Sequence, residues 1–187
     1  NAILLAQKYT VVGFDLDPNK VEKINNLISP IEDKEISQFL TSKKLDFIAT
    51  TNIDKLDDTF EYVIISTPTN YDDKTMTFDT SSVKKSVETV LKGARRAFVV
   101  IRSTIPVGYV LQLREIFSTE KICHSPEFLR EGSALYDNLY PSRIIVGDKS
   151  LQAKNFSKLL VECASAEDIE VMFTEPNEAE AIKLFSN

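Results

Sequence analysis

Residues 125–132, Ser125-Pro126-Glu127-Phe128-Leu129-Arg130-Glu131-Gly132, place two carboxylates four positions apart, directly after the only histidine, His124. On a helix that spacing puts both acids on one face, where like charges repel by roughly 0.2–0.5 kcal/mol. Two readings stand: a solvated helix face softened by Arg130, or carboxylates kept together for chemistry. Lys183 and Asn187 are also four apart, so on a helix they lie one above the other. Glu180 precedes Lys183 by three, the spacing of an exposed ion pair worth about a few tenths of a kcal/mol. Two hydroxyl-bearing clusters complete the inventory: Ser66-Thr67-Pro68-Thr69-Asn70-Tyr71-Asp72 and Arg102-Ser103-Thr104-Ile105-Pro106-Val107-Gly108.

Each cluster closes an apolar run that reads as a strand. The β-rich run Tyr9–Phe14 ends on Asp15 and hands over, through Asp17-Pro18, to a helix carrying Val21, Ile24 and Leu27. An acid at such a strand end holds the adenine ribose in a dinucleotide-binding fold, and it is equally a common turn former. A short helix is expected over 34–41 and a strand at Phe47-Ile48-Ala49-Thr50. The continuous run Tyr62-Val63-Ile64-Ile65 predicts a strand buried on both faces. A helix with Val83, Val87, Val90 and Leu91 follows, capped by Asp79 or Thr80. The cycle repeats with a strand over 97–101 and a helix bearing Val110, Leu113 and Phe117. Short strands are expected at 122–124, 143–147 and 170–174, a helix at 150–163, and a last helix from Glu178 capped by Asn177. This alternation predicts an α/β domain, Rossmann-like and doubly wound, with a mainly parallel sheet whose carboxyl edge gathers the hydroxyl loops. The five glycines lie far apart, so a first strand and its glycine-rich phosphate turn are expected immediately before Asn1.

Composition narrows the function classes. At 187 residues, 43% hydrophobic and 27% charged, the chain suits one well-buried core and is short for two domains. A net charge of −6 with no basic stripe argues against nucleic acid. No apolar run approaches the ~20 residues that cross a bilayer. Cys123 and Cys163 sit among apolar neighbours and read as buried free thiols of a reducing, cytoplasmic compartment. One histidine and no Cys-x-x-Cys spacing give no basis for a metal site. The first residues read as the middle of a helix rather than a signal peptide.

Taken together, Thr67-Pro68-Thr69-Asn70-Tyr71-Asp72, Ser103-Thr104-Ile105-Pro106-Val107-Gly108, Ser125-Pro126-Glu127-Phe128-Leu129 and Glu180-Ala181-Ile182-Lys183-Leu184-Phe185-Ser186-Asn187 resemble the UDP-glucose/GDP-mannose dehydrogenase family. The resemblance spans the whole chain. It implies the NAD-binding domain over 1–175, truncated at its start, and the beginning of a central connecting helix over 176–187. It also implies NAD-dependent oxidation of UDP-glucose at C6 to UDP-glucuronate in two hydride transfers, through a thioester on a cysteine of a later domain. Related substrates are GDP-mannose and UDP-N-acetylmannosamine, and a hydroxyacid dehydrogenase with a similar domain is the other reading.

Carried over by motif, Thr104 and Glu127 hold the water at the reacting carbon, with Glu127 as base. Lys183 stabilises the developing oxyanion, and Asn187 hydrogen-bonds the same oxygen. Asp15 and Lys20 meet the adenosine ribose, Thr69 and Thr104 the pyrophosphate and nicotinamide, and Glu131 the nicotinamide ribose. Phe128 and Leu129 contact the sugar through their backbone, and Tyr136 reaches a UDP phosphate. Glu127, Lys183 and Asn187 thus also count as substrate-binding. Neither Cys123 nor Cys163 has the family nucleophile's Gly-Cys-x-Pro-Lys-Asp context, so these residues alone are expected not to turn over. Nucleotide-sugar metabolism serving polysaccharide biosynthesis and a homo-oligomeric full-length enzyme are the remaining implications.

Overall fold

The computed structural model describes residues 1–74 and 76–186. In chain order these form α1 (Ala2–Leu5), β1 (Val11–Phe14), α2 (Pro18–Asn25), α3 (Lys34–Ser42), β2 (Phe47–Thr50), β3 (Tyr62–Ile65), β4 (Asn70–Asp72), β5 (Thr77–Asp79), α4 (Ser81–Gly93), β6 (Phe98–Ile101), α5 (Tyr109–Phe117), β7 (Ile122–His124), α6 (Ala134–Leu139), β8 (Arg143–Val146), α7 (Leu151–Cys163), β9 (Glu170–Phe173) and α8 (Pro176–Ser186). They divide into two compact units. The first holds Asn1–Lys55, Leu129–Ser142 and Lys158–Ile169; the second holds Leu56–Phe128, Arg143–Ser157 and Glu170–Asn187.

In the first unit β1 and β2 run parallel, from Val11↔Phe47 to Phe14↔Thr50. The Asp17 side chain accepts from Asn19 N–H, and Pro18, at the first helical position where its missing N–H costs nothing, starts α2. Asn25 then bonds both peptide groups of Ala49, at 2.9 and 3.0 Å, and holds α2 on β2. Helices α1, α3 and α6 pack on one another. The nearly buried Asp33 caps two of them: Oδ1 accepts from Ile36 N–H in α3 at 3.0 Å, and Oδ2 from Leu135 N–H in α6 at 3.1 Å.

In the second unit β6 is flanked on both sides by parallel strands, β3 and β7. All four of its residues are buried, as a continuous apolar run between two neighbours requires. Val83, Val87 and Val90 of α4 and Val110 and Leu113 of α5 pack with Val99, Ile101 and Ile122 into one cluster. β8 and β9 are parallel to each other, and His124 C=O accepts the Gly147 N–H at 2.8 Å, joining β8 to the end of β7. The α/β class and the parallel pairing expected from the alternation are therefore present. No helix among the described residues is long and apolar enough to cross a membrane.

Three local expectations are corrected. Residues 125–133 form no helix, so Glu127 and Glu131 do not share a helix face. Pro126 disfavours helical geometry at Ser125, and Gly132, at φ 75°, takes a left-handed conformation that a helix does not contain. α8 starts at Pro176, which places Asn177 inside the helix; the Glu178 carboxylate instead accepts the Glu175 N–H at 2.9 Å. The stretch read as a plain loop after β3 contains an antiparallel pair, β4 with β5, closed by Tyr71 packed on Phe78.

Candidate functional site

β6 and β7 end in register, Ile101 opposite His124, so residues 102–104 and 125–128 leave the same carboxyl edge side by side. Arg102, the first residue beyond β6, is only 6% exposed. Its Nη1 donates to Ser125 Oγ at 3.1 Å, and its Nε to Glu127 Oε2 at 3.3 Å. The Ser125 hydroxyl donates to the Ile145 carbonyl at 2.7 Å, so this partner of Arg102 is itself oriented. Burial pushes the guanidinium's proton affinity down, and Glu127 offsets that only in part. A guanidinium does not deprotonate in proteins, so the outcome is a fixed buried cation against a carboxylate.

Lys183 arrives from α8. Its Nζ donates to the main-chain oxygen of Glu127 at 2.7 Å and lies 5.6 Å from the centre of the Phe128 ring. Arg143 stands 5.1 Å from the same ring centre, so two cations bracket Phe128. Burial lowers the Lys183 pKa, Glu127 pulls it back up, and Arg102 pushes it down again. Arg102, Lys183 and Glu127 together carry one surplus positive charge, which suits a group on which negative charge develops.

Thr104 follows on the same loop, half-buried. Its neighbour Ser103 donates to the Thr67 carbonyl at 2.6 Å, and Ser82 donates to Thr67 Oγ1 and the Pro68 carbonyl at 3.2 and 2.8 Å. The loop bearing Thr104 and the loop bearing Thr69 are therefore stitched together. His124, directly before the site, is fully buried, and neither ring nitrogen has a hydrogen-bond partner among the described residues. Burial drives its pKa down to about 3; backbone groups of Ser103 and Ala179 oppose that, and the Arg102 and Lys183 charges add to it.

The second unit thus brings together Glu127, Phe128 and Lys183, with Thr104 two residues beyond Arg102 and Thr69 on the adjoining loop. The first unit holds the other expected residues. Asp15 ends β1 half-exposed, with Lys20 Nζ at 3.8 Å and its own Oδ1 accepting the Asp17 N–H at 2.9 Å. A half-exposed carboxylate at a parallel strand end, with a cation beside it, fits a nucleotide ribose diol. Glu131 is exposed in the turn before α6, and Leu129 is half-buried. Tyr136 is 46% exposed and packs on Tyr140, with ring centres 4.9 Å apart. Asn187 lies outside the described residues. Cys123 and Cys163 are buried, and burial raises both thiols, so neither is poised as a nucleophile.

Sequence reasoning missed Arg102, Ser125 and Glu180. Arg102 carried a signal: a charged residue flush against a fully apolar strand end has to be paired when buried. Glu180 was read as an exposed partner for Lys183, but it is completely buried and bonded to α5. Its signal lay elsewhere, in a helix beginning at Tyr109 with no capping side chain of its own.

Comparison with known proteins adds the family. The NAD-binding domain of the UDP-glucose/GDP-mannose dehydrogenase family matches residues 1–164. Over 192 aligned residues the chain is 46% identical to a UDP-glucose 6-dehydrogenase of Streptococcus pneumoniae, covering all of this chain and 49% of that protein. It is 41% identical to a UDP-glucose 6-dehydrogenase of Campylobacter jejuni, covering 48% of it. The chain therefore spans about half the length of these curated relatives. Among solved structures, a UDP-glucose dehydrogenase from the archaeon Pyrobaculum islandicum superposes with a TM-score of 0.84 at 25% identity, covering 99% of this chain and 45% of that one. A GDP-mannose dehydrogenase from Pseudomonas aeruginosa shares the fold at a TM-score of 0.82 and 21% identity, covering 98% of this chain and 45% of that one.

Proposed function

Because this chain belongs to the NAD-binding domain of the UDP-glucose/GDP-mannose dehydrogenase family, we propose that it is the cofactor-binding part of an enzyme that oxidises UDP-glucose at C6 to UDP-glucuronate. The observation that carries the reading is the cluster in which Lys183 meets the Glu127 backbone while buried Arg102 grips the Glu127 carboxylate. UDP-glucose, rather than GDP-mannose or UDP-N-acetylmannosamine, is favoured by the names of the more similar relatives. NAD, when bound, supplies the hydride acceptor.

The chain's own residues divide the remaining tasks. Lys183 presents a cation to the oxygen at C6 as negative charge develops there, an interaction worth several kcal/mol in a water-excluded site. Glu127, oriented by Arg102, takes the proton of the attacking water with Thr104 holding that water, and Asn187 shares the oxygen with Lys183. Asp15 and Lys20 hold the adenosine ribose, Thr69 and Thr104 the pyrophosphate and nicotinamide, and Glu131 the nicotinamide ribose. The backbone of Phe128 and Leu129 meets the sugar, and Tyr136 a UDP phosphate. The cysteine that forms the thioester belongs to a later domain. Residues 1–175 form the NAD-binding domain, and 176–187 open the connecting helix of a cytoplasmic homo-oligomer in nucleotide-sugar metabolism.

The test is product stoichiometry with the full-length protein. UDP-glucose is expected to yield two NADH per sugar, with kcat/KM above that for GDP-mannose or UDP-N-acetylmannosamine. A higher kcat/KM for either rival reassigns the substrate, and no NADH with any of the three refutes the activity.

A further inference from the structure

Glu180 stands three residues before Lys183 on α8 and is completely excluded from solvent. Its Oε2 accepts the Gly108 N–H at 2.5 Å, and its Oε1 the Val110 N–H at 2.8 Å. α5 begins at this point with Gly108 left-handed at φ 90° and no side-chain cap of its own. The orphan N–H groups of its first turn are therefore met from α8. Burial raises the Glu180 pKa, against the opposing pull of the Val110, Gly108 and Tyr109 N–H groups. A second contact also seats α8. A Cβ on Gly147 would lie 2.7 Å from the Ala179 Cβ and 3.2 Å from Pro176 Cα, so the helix rests on bare backbone at the end of β8. Glu180 thus stands between two residues that the proposed chemistry uses: Thr104, four positions before Gly108, and Lys183, one helical turn beyond Glu180.

We infer that Glu180 is a positioning residue, a single buried carboxylate that fixes the Thr104 turn and the Lys183 helix in one arrangement so that Lys183 reaches the Glu127 carbonyl. The inference rests on the role proposed above for Lys183. Removing the tie lets α8 shift against α5, and a catalytic group misplaced by about 1 Å loses on the order of 10²-fold in rate. A carboxylate that served stability alone would change how much protein folds but leave the folded fraction turning over normally.

The experiment is a double-mutant cycle in the full-length protein. Glu180→Gln turns one accepting oxygen into a donor facing backbone N–H groups; Glu180→Asp keeps the charge and shortens the reach. For the folded fraction of each, kcat is expected to fall about 10- to 100-fold, by more than any accompanying rise in KM for NAD through the Thr104 turn. In a Lys183→Ala background the same substitutions are expected to have little further effect on kcat, because the two residues act as one unit. Unchanged kcat in the folded single variants, or effects that add fully to Lys183→Ala, would overturn the inference. Failure of both Glu180 variants to fold would also overturn it, by assigning the residue to stability alone. If Lys183→Ala itself leaves kcat intact, the functional reading fails first and this inference falls with it.

Discussion

Two strand ends carry the candidate chemistry, and their charges are arranged in opposite ways. At the end of β1, Asp15 and Lys20 approach to 3.8 Å with 43% and 50% of their side-chain surface in solvent. At the ends of β6 and β7, Arg102 and Glu127 meet at 3.3 Å with 6% and 23% exposed, and Lys183 adds a second cation. Coulomb attraction at such distances is several-fold stronger near the interior than in water. An exposed pair is screened and contributes at most about 1 kcal/mol, whereas breaking a buried pair leaves a charge without compensation. The first arrangement suits recognition of a polar group that must enter and leave. The second suits a charge that must already be in place when a reaction generates its opposite.

The largest contrast expected is in pH dependence, and it belongs to the buried end alone. His124 has its pKa lowered to about 3 by burial, against 6.5 for a free imidazole, with Arg102 and Lys183 adding to the shift. Between those values the unfolded chain binds a proton that the folded chain refuses. The stability is present above pH 6.5 and is lost as pH falls toward 3, by about 5 kcal/mol over the full window at 1.36 kcal/mol per unit. Urea midpoints of the full-length protein from pH 7 to 4 should show this slope, and His124→Leu should flatten it. A slope unchanged in the variant would place the acid sensitivity elsewhere.

Next in size is Arg102→Met, which removes the buried cation that both Glu127 and Ser125 accept from. A loss of about 2–3 kcal/mol is expected, below the roughly 3–5 kcal/mol of a fully buried broken pair because Glu127 keeps some solvent. Denaturant titration checks it, and a loss under about 0.5 kcal/mol would put this pair in the same class as the exposed one.

Much of this contrast was legible in the sequence, and the illegible part has a physical reason. The apolar run over 97–101 predicted a strand with neighbours on both sides, and Asp15 at the close of a β-rich run pointed to a strand-end carboxylate. Those are local properties of composition and period. The grip of Arg102 on Glu127 and of Glu180 on α5 spans 25 and 72 residues of chain. Sequence spacing registers only neighbours, so Glu180 was matched with Lys183 three residues away rather than with Gly108. Glu127 and Glu131 suffered the same error: their four-residue spacing suggested one helix face, and Pro126 and Gly132 rule that helix out.

The exposed end should respond only through its ligand. Asp15→Asn is expected to weaken NAD binding about 10-fold, the worth of one charge-assisted hydrogen bond of roughly 1.4 kcal/mol, with thermal stability nearly unchanged. Lys20→Ala should do less, under about 1 kcal/mol by calorimetric titration with NAD. A large loss of stability in either variant would break the comparison, because it would show the Asp15 end to be structurally coupled in the way the Arg102 end is.

The central claim is that the Glu127–Lys183 end performs chemistry and the Asp15 end holds cofactor. Single-turnover kinetics of full-length Lys183→Ala and Glu127→Gln, read beside NAD affinity, test it most directly. The account predicts thioester hydrolysis slowed by about 10²-fold or more with NAD affinity within about 3-fold of the unsubstituted protein. Unchanged single-turnover rates with weaker NAD binding would contradict it.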